Sequence, residues 1–319
     1  MKKMNRVFKD RCLLTALVIG AFAALPVYPQ AKGASVSQFR TITINSEPKA
    51  TVWLDDVRYG TTDETGNLEI RTVAAGRHTL RVRAPGFKEV SLPVTATQRG
   101  TIKATLVKTT DEAELAFQEG ERLAFVDRER SAEAYRKAVK LRPNYPQAWL
   151  ALARVLMEAD DLDGAKEAAA AARRHRPIYA ELTAVEGRIH KENGDEAKAI
   201  AAFKKSITEG KGFQPEAHTG LGLLYKEKGE AAANAGDFEA ETTHYAEAAK
   251  NLKIAIKQLA GAPDASVIYQ LLGLVYENQK RYDDAIALYE EFLTIFPNSN
   301  DATAVRSFIV QLKKNRGDQ

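Results

Sequence analysis

The chain has 319 residues, of which 45% are hydrophobic and 28% charged, and this composition excludes a largely disordered protein. Its length allows two domains, each with a core of its own. The formal net charge is +4, but the basic excess is concentrated at the N-terminus, so it gives no evidence of nucleic-acid binding.

The N-terminal segment predicts an exported protein. A basic start is followed by the apolar run Cys12–Leu25 and then by Pro26 and Pro29. The run is shorter than the roughly 18–20 residues of a membrane-spanning helix and is typical of a secretory signal. We therefore predict a signal peptide over residues 1–33, cleaved after Gly33. An uncleaved segment that anchors the protein in a membrane is the main alternative.

Cleavage changes the charge and the cysteine content. Without residues 1–33 the chain keeps 40 basic and 41 acidic residues, a net charge near −1, and loses Cys12, its only cysteine. The mature protein then has no disulfide, and packing alone must hold it together. The expected location is the periplasm or cell envelope, with secretion as a further possibility.

Residues 39–107 alternate apolar and polar side chains with a period of two. Stretches such as "RTITIN", "ATVWLDD" and "HTLRVRA" are rich in Val, Ile, Thr and Leu, and turn residues separate them. The pattern predicts a small antiparallel β-sandwich. Glycines in two of the turns, Gly66 and Gly76, predict hairpins.

Several motifs in this segment carry a family resemblance. Ser46, Pro48 and Ala50 precede "VWLDD" and "YGTT", and "AAGRHTLRVRAPGFKE" follows. With these motifs the segment resembles the PEGA domain. The portion "TDETGNLEI…AGRHTLRV" is also similar to carboxypeptidase regulatory-like domains, and the two assignments stay open. Both resemblances imply a sandwich that binds or spaces other molecules and performs no chemistry.

A helical repeat follows after Thr109. Pro143 and Pro177 lie 34 residues apart, and each ends an alanine-rich helix. Units of this length place large, small and proline residues at fixed positions, and residues 112–299 resemble tetratricopeptide repeats. The resemblance implies about five helix pairs stacked into a superhelical solenoid. Residues 300–319 are predicted to form a C-terminal capping helix.

The fourth unit contains "GLGLLYKEKG", whose glycine spacing raises the possibility of a phosphate-binding loop. A dinucleotide fingerprint needs a preceding strand and a third glycine three residues after the second, but a helix-forming run precedes this stretch and Tyr225 occupies that position. In the register of the repeat, Gly222 is instead the small residue that lets the two helices of the unit approach. An insertion near residues 230–243 is expected either to lengthen both helices or to form a loop.

The sequence offers no catalytic or metal-binding constellation. The five histidines are dispersed and none has a His or Cys three or four residues further on, so no metal, cofactor or enzymatic activity is expected. Asp160, Asp161 and Asp163 are predicted to cap a helix. Two basic clusters, "RRHR" at residues 173–176 and the alternating Arg81 and Arg83, are expected on solvated faces.

The concave surface of the solenoid is the predicted functional site. In tetratricopeptide repeats the first helix of each unit faces this groove, and the resemblance assigns ligand-facing positions to Leu150, Arg154, Arg188, Lys191, Leu223, Lys226 and Gln270. The four basic residues predict a positive stripe for an acidic or C-terminal peptide. The asparagines of the family's carboxylate clamp are missing, which argues against that particular mode.

These patterns predict a multidomain β + α protein that is an exported, non-enzymatic scaffold with a protein or peptide partner in the cell envelope. Nucleic acid is not an expected partner, and membrane contact is expected only if the N-terminal segment is retained. The alternative is a carbohydrate- or peptidoglycan-binding protein, in which Trp53 and Tyr59 of the sandwich would stack on sugar. An accessory subunit of an enzyme is a third possibility.

Overall fold

The computed structural model describes residues 39–317, and these form seven strands followed by eleven helices. The predicted signal peptide and the alternative of an N-terminal anchor lie outside the described residues. The strands are β1 (Phe39–Asn45), β2 (Thr51–Leu54), β3 (Val57–Thr61), β4 (Asn67–Ala74), β5 (His78–Arg83), β6 (Val90–Val94) and β7 (Gly100–Lys103).

The strands build a two-layer sandwich, as the period-two pattern predicts. One sheet has the order β4-β1-β7 and the other β3-β2-β5-β6. Alternate side chains of both sheets point into a shared core, among them Ile42, Ile44, Val52, Leu80 and Val82, all with zero exposure. The pairing is mixed, because β1 and β7 run parallel while the other pairs are antiparallel.

The two hairpins predicted at Gly66 and Gly76 are wrong. The Gly66 turn connects β3 to β4 and the Gly76 turn connects β4 to β5, and in each case the two strands belong to different sheets. Gly66 has a φ of +80°, and a Cβ there would overlap the carbonyl oxygen of Ser46. These turns therefore carry the chain from one sheet to the other. The residues of a turn do not by themselves determine whether the two strands that it connects pair in the same sheet.

The helices are α1 (Glu112–Leu123), α2 (Arg128–Leu141), α3 (Pro146–Glu158), α4 (Leu162–His175), α5 (Ala180–Glu192), α6 (Glu196–Glu209), α7 (Pro215–Ala235), α8 (Phe238–Leu259), α9 (Ala265–Asn278), α10 (Tyr282–Ile295) and α11 (Ala302–Gly317). Consecutive helices pair into five units, and α11 packs on α10 as the predicted cap. The predicted fold class, a small sandwich followed by a helical solenoid, is confirmed.

Local sequence signals explain where these helices begin. Asp111, Asp127 and Asp161 precede α1, α2 and α4, and each side chain accepts a hydrogen bond from a backbone N–H of the first turn. Asp161 belongs to the acidic cluster that predicts a helix cap, and it accepts from the N–H of Gly164 at 2.9 Å. Proline occupies the first position of α3 and α7, where its missing N–H costs no intrahelical bond.

The insertion in the fourth unit lengthens both helices. α7 has 21 residues and α8 has 22, against 12 to 14 in the helices of the other units. Gly236 ends α7 in the left-handed conformation, with φ of 73°, and Asp237 then caps α8. The extended pair forms a long antiparallel hairpin, so the insertion adds helix and no irregular loop.

Four of the five units pack a glycine of their first helix against a large residue of their second, and in the remaining unit α3 has Ala153 at that position. A Cβ on Gly222 would lie 2.6 Å from two side-chain carbons of Leu252, closer than any carbon–carbon contact of packed side chains. The same close approach occurs at Gly120, Gly187 and Gly273, which contact Tyr135, Phe203 and Tyr289. The glycines of "GLGLLYKEKG" therefore lie inside α7 and serve helix packing.

Candidate protein-binding groove

The predicted ligand-facing residues lie on α3, α5, α7 and α9, which are the first helices of successive units and contact one another in order. Leu150 is buried, with 7% exposure, and belongs to the solenoid core. Leu223 and Gln270 are half-buried. The groove prediction thus rests mainly on the four basic residues and on the half-buried positions of α7 and α9.

Two of the predicted basic residues converge on one carboxylate. Arg154 on α3 and Arg188 on α5 both pair with Glu216 at the start of α7, the latter at 3.4 Å. Arg188 also lies 3.8 Å from Glu158. Three consecutive units are therefore joined by a single charge network on their first helices.

The two predicted lysines also have acidic partners. Lys191 lies 2.9 Å from Glu227, and Lys226 lies 2.6 Å from Glu230 one helical turn further on. A paired cation is neutralised locally, and such partly exposed pairs contribute little to stability. The groove consequently presents alternating charges of both signs, where the sequence predicts a positive stripe.

Sequence reasoning missed the pairing of these basic residues with acids on the first helices. Glu216 occupies the second position of its unit, and the basic residues it joins occupy the ninth positions of the two preceding units. An acid at position two facing a base at position nine is the signal that would have found this network. On α9, the first helix of the fifth unit, Val267 is 59% exposed and Leu274 is 46% exposed.

The prediction of a solvated face is wrong for Arg83, while Arg81 is half-buried with 27% of its side chain exposed. Arg83 is 9% exposed and pairs with Glu89 and with Glu121 of α1. Its guanidinium also lies over the rings of Trp53 and Phe117, at 5.3 and 4.7 Å from the ring centres. Both carboxylates raise the pKa of Arg83 against the effect of burial, so the residue stays charged.

The basic run at residues 173–176 is likewise only partly solvated. Arg173 donates hydrogen bonds to Glu186 and Thr183 of α5 and to the carbonyl oxygen of Pro177. Arg176 lies over the ring of Tyr179, 4.1 Å from its centre. The end of α4 is therefore fastened to the next unit, because the C-terminus of a second helix meets the start of the following first helix.

The two aromatic residues considered for sugar stacking have intramolecular partners. Trp53 lies beside Arg81 and Arg83, whose guanidinium groups are 4.9 and 5.3 Å from the ring centre. Tyr59 donates a hydrogen bond of 3.3 Å to the carbonyl oxygen of Leu259, at the end of α8. Burial, helped by the nearby charge of Asp55, raises the pKa of Tyr59 to about 12.

His218 occupies a structural position. His218 on α7 is buried, and its Nδ1 lies 3.0 Å from Oδ1 of Asn251 on α8. Within residues 39–317, no cluster of three or more His, Cys, Asp or Glu side chains is arranged to hold a metal ion. Over the same residues, no helix combines the length and the hydropathy of a membrane span.

Comparisons with known families agree with the two halves of the fold. The PEGA domain family matches residues 39–110. Tetratricopeptide repeat families match residues 123–189, 184–209 and 239–300. The predicted resemblances to both families are confirmed, and the chain joins a PEGA domain to tetratricopeptide repeats.

Solved structures with a similar fold are helical repeat proteins. Yeast Tom70 matches with a TM-score of 0.51 and 16% identity, over 65% of this chain and 41% of its own. The Cut9–Hcn1 assembly of the APC/C has a TM-score of 0.48 and 19% identity, over 65% of this chain and 37% of its own. The tetratricopeptide protein TTC0263 of Thermus thermophilus has a TM-score of 0.47 and 20% identity, over 62% of this chain and 99% of its own. No curated protein sequence matches the chain.

Proposed function

We propose that this protein is an exported, non-enzymatic scaffold of the cell envelope, and that the groove of its repeats captures a peptide or protein partner. The repeats themselves support a role in protein interaction. The observation that carries the proposal is the network of Arg154, Arg188 and Glu216, which brings side chains of three units together on their first helices.

The network suggests how a partner is recognised. An acidic side chain of the partner takes the place of Glu216 beside the two arginines and forms a charge-assisted hydrogen bond. Apolar side chains of the same segment contact the exposed Val267 and Leu274. Because one ion pair replaces another, the net electrostatic free energy changes little. Specificity therefore comes from the spacing between the charged and apolar contacts.

The test is capture by the full-length chain, carrying a C-terminal tag, in the envelope of the source cells. Arg154→Glu with Arg188→Glu removes both cations of the network, and we expect the partner to be lost. The matched control is Lys166→Glu with Lys250→Glu, which reverses two exposed charges on the second helices α4 and α8. Capture that survives the groove pair, or that is lost equally in the control, contradicts the proposal.

A further variant distinguishes the groove from nonspecific charge effects. Glu216→Gln frees both arginines from their shared acid, and we expect it to strengthen capture of an acidic segment and to increase its salt dependence. Weakened capture in this variant would mean that Glu216 itself contacts the partner.

Export is tested separately. The chain recovered from the cell envelope should lack residues 1–33, which an intact mass measurement shows directly. A full-length chain recovered with the cytosolic fraction contradicts the proposed location and leaves the groove proposal intact.

A further inference from the structure

The sandwich makes a first set of contacts with the first repeat unit. The side chain of Gln118 on α1 accepts a hydrogen bond from the N–H of Gly86 and donates one to the carbonyl oxygen of Phe87, both at 2.8 Å. Arg83 pairs with Glu121 one turn further along α1. The first unit is thus fixed to the sandwich by both backbone and side-chain bonds.

A second set of contacts lies at the junction of the fourth and fifth units. Tyr59 donates its hydrogen bond to Leu259, and Val57 belongs to the apolar core formed by α8, α9 and α10. Gly261, in the turn between α8 and α9, approaches Thr72 of β4 so closely that a Cβ would lie 2.8 Å from its methyl carbon. We call the contacts of Val57, Tyr59 and Thr72 with this junction the distal seam.

These contacts join parts of the solenoid that do not otherwise meet. Units of a helical repeat contact only their neighbours, so small rotations at each junction add up and the superhelix bends easily. The sandwich is held by the first unit at one end and by the fourth and fifth units at the other. Because the sandwich is rigid and attached at both places, it prevents the rotations at the junctions from adding up to a bend.

We propose that the sandwich is an intramolecular brace that fixes the curvature of the repeat solenoid, and that release of the distal seam lets the solenoid change its curvature. The brace does not require the proposed function, since it concerns contacts within one chain. A braced groove holds its recognition residues in one arrangement, which lowers the conformational cost of binding any partner.

The test opens the distal seam with a single methyl group. Gly261→Ala places a Cβ against Thr72, and against Ile295 of α10 at 3.0 Å. Gly261 has φ of +78°, so alanine also strains the backbone. The control is Gly236→Ala, which imposes the same strain at φ of +73° with open space around the new Cβ.

Two pairs of spin labels, in full-length chain carrying Cys12→Ser, report the outcome. Labels at Ala96→Cys and Ser307→Cys measure the distance between sandwich and cap, and labels at Val126→Cys and Ser307→Cys measure the distance between the two ends of the solenoid. All three positions are exposed. In Gly261→Ala we expect both distance distributions to broaden and their means to shift, while Gly236→Ala leaves both unchanged.

Removal of the opposing side chain should restore the seam. Thr72→Ala deletes both atoms of that residue that lie within 3 Å of the new Cβ, so we expect Gly261→Ala with Thr72→Ala to recover the distances of the unmodified chain. Tyr59→Ala is an independent way to open the same seam, and circular dichroism verifies that each variant is folded.

Three results overturn the brace. The first is a sandwich that detaches while the distance between the ends of the solenoid stays unchanged. The second is an equal effect of Gly236→Ala, which assigns the change to backbone strain. The third is a seam that stays closed in both Gly261→Ala and Tyr59→Ala, because the contacts named here would then not hold it.

Discussion

Replacement of Gly222 by alanine should weaken the pairing of α7 with α8. The new Cβ would lie 2.6 Å from both Cγ and Cδ2 of Leu252, which has no exposure and so cannot turn into solvent. Overpacking of a filled core costs about 1–3 kcal/mol, while alanine in a helix gains about 1 kcal/mol over glycine. Because two carbons overlap by most of an ångström, we expect a net loss of about 1–2 kcal/mol.

Hydrogen exchange of peptides from α7 and α8 measures this loss. Repeat units open individually, so a local probe is more informative than a single melting temperature. The expected loss corresponds to exchange about tenfold faster in both helices. Gly317→Ala is the control, since that glycine is also helical and nothing lies within 4 Å of the position of its Cβ.

A double-mutant cycle identifies the cause. Leu252→Ala alone should cost about 2–5 kcal/mol by leaving a cavity. Combined with Gly222→Ala it should cost less than the sum, because the clash is gone and the methyl group fills part of the space. Additive losses, or a gain of about 1 kcal/mol in Gly222→Ala alone, would refute close helix packing as the reason for this glycine.

Three further outcomes follow from named contacts. Asp111→Ala should cost the first unit about 0.5–2 kcal/mol by removing the cap of α1, and Asp111→Asn much less. Hydrogen bonds from the backbone of α1, first of all from the N–H of Glu114, lower the pKa of the Asp111 carboxyl. Its charge therefore stabilises the unit above about pH 4, and this stabilisation disappears as pH falls through the lowered pKa. Thermal unfolding of the two variants at a series of pH values tests this, and a stabilisation that grows in acid contradicts it. Arg173→Met should destabilise the junction of α4 and α5 by about 1.5–3 kcal/mol, as measured by hydrogen exchange. The control is Arg174→Met at an exposed position, which should cost no more than about 0.5 kcal/mol. Equal effects would mean that the hydrogen bonds of Arg173 contribute nothing. Burial at the distal seam raises the pKa of Tyr59 to about 12. The neutral phenol should therefore hold the seam up to about pH 10, and the seam should open as pH rises through about 12. Tyr59→Phe should abolish this pH dependence of the spin-label distances, and the same dependence in Tyr59→Phe would assign it to another group.

Local periodicity was enough to predict the two architectures. Side chains alternate along β1 to β7 because a strand exposes successive residues to opposite layers, and the repeat of 34 residues follows from one helix pair stacking on the next. The same reasoning identified Gly222 as a packing residue and Asp161 as a helix cap. Both depend only on neighbours within one unit.

The groove was only partly predictable for a physical reason. Position within a repeat gives the helix face on which Arg154, Arg188, Lys191 and Lys226 lie, but it does not give the partner of each charge. Arg154, Arg188 and Lys191 pair with acids of other units, which the curvature of the solenoid brings near, whereas Lys226 pairs with Glu230 one turn along its own helix. The predicted positive stripe is for that reason a row of ion pairs.

By itself, the sequence determined which segments are strands and helices, the register of the repeats and the positions of their small residues, because each of these is encoded by contacts within a few residues or within one unit. Only the tertiary structure decided that the turns at Gly66 and Gly76 cross between sheets, that Arg83 is buried against α1, and that Tyr59 reaches Leu259 across 200 residues of chain. The first two depend on how the two sheets and α1 pack together, and the third depends on the summed rotation of the repeat units that precede Leu259, so no local pattern carries them.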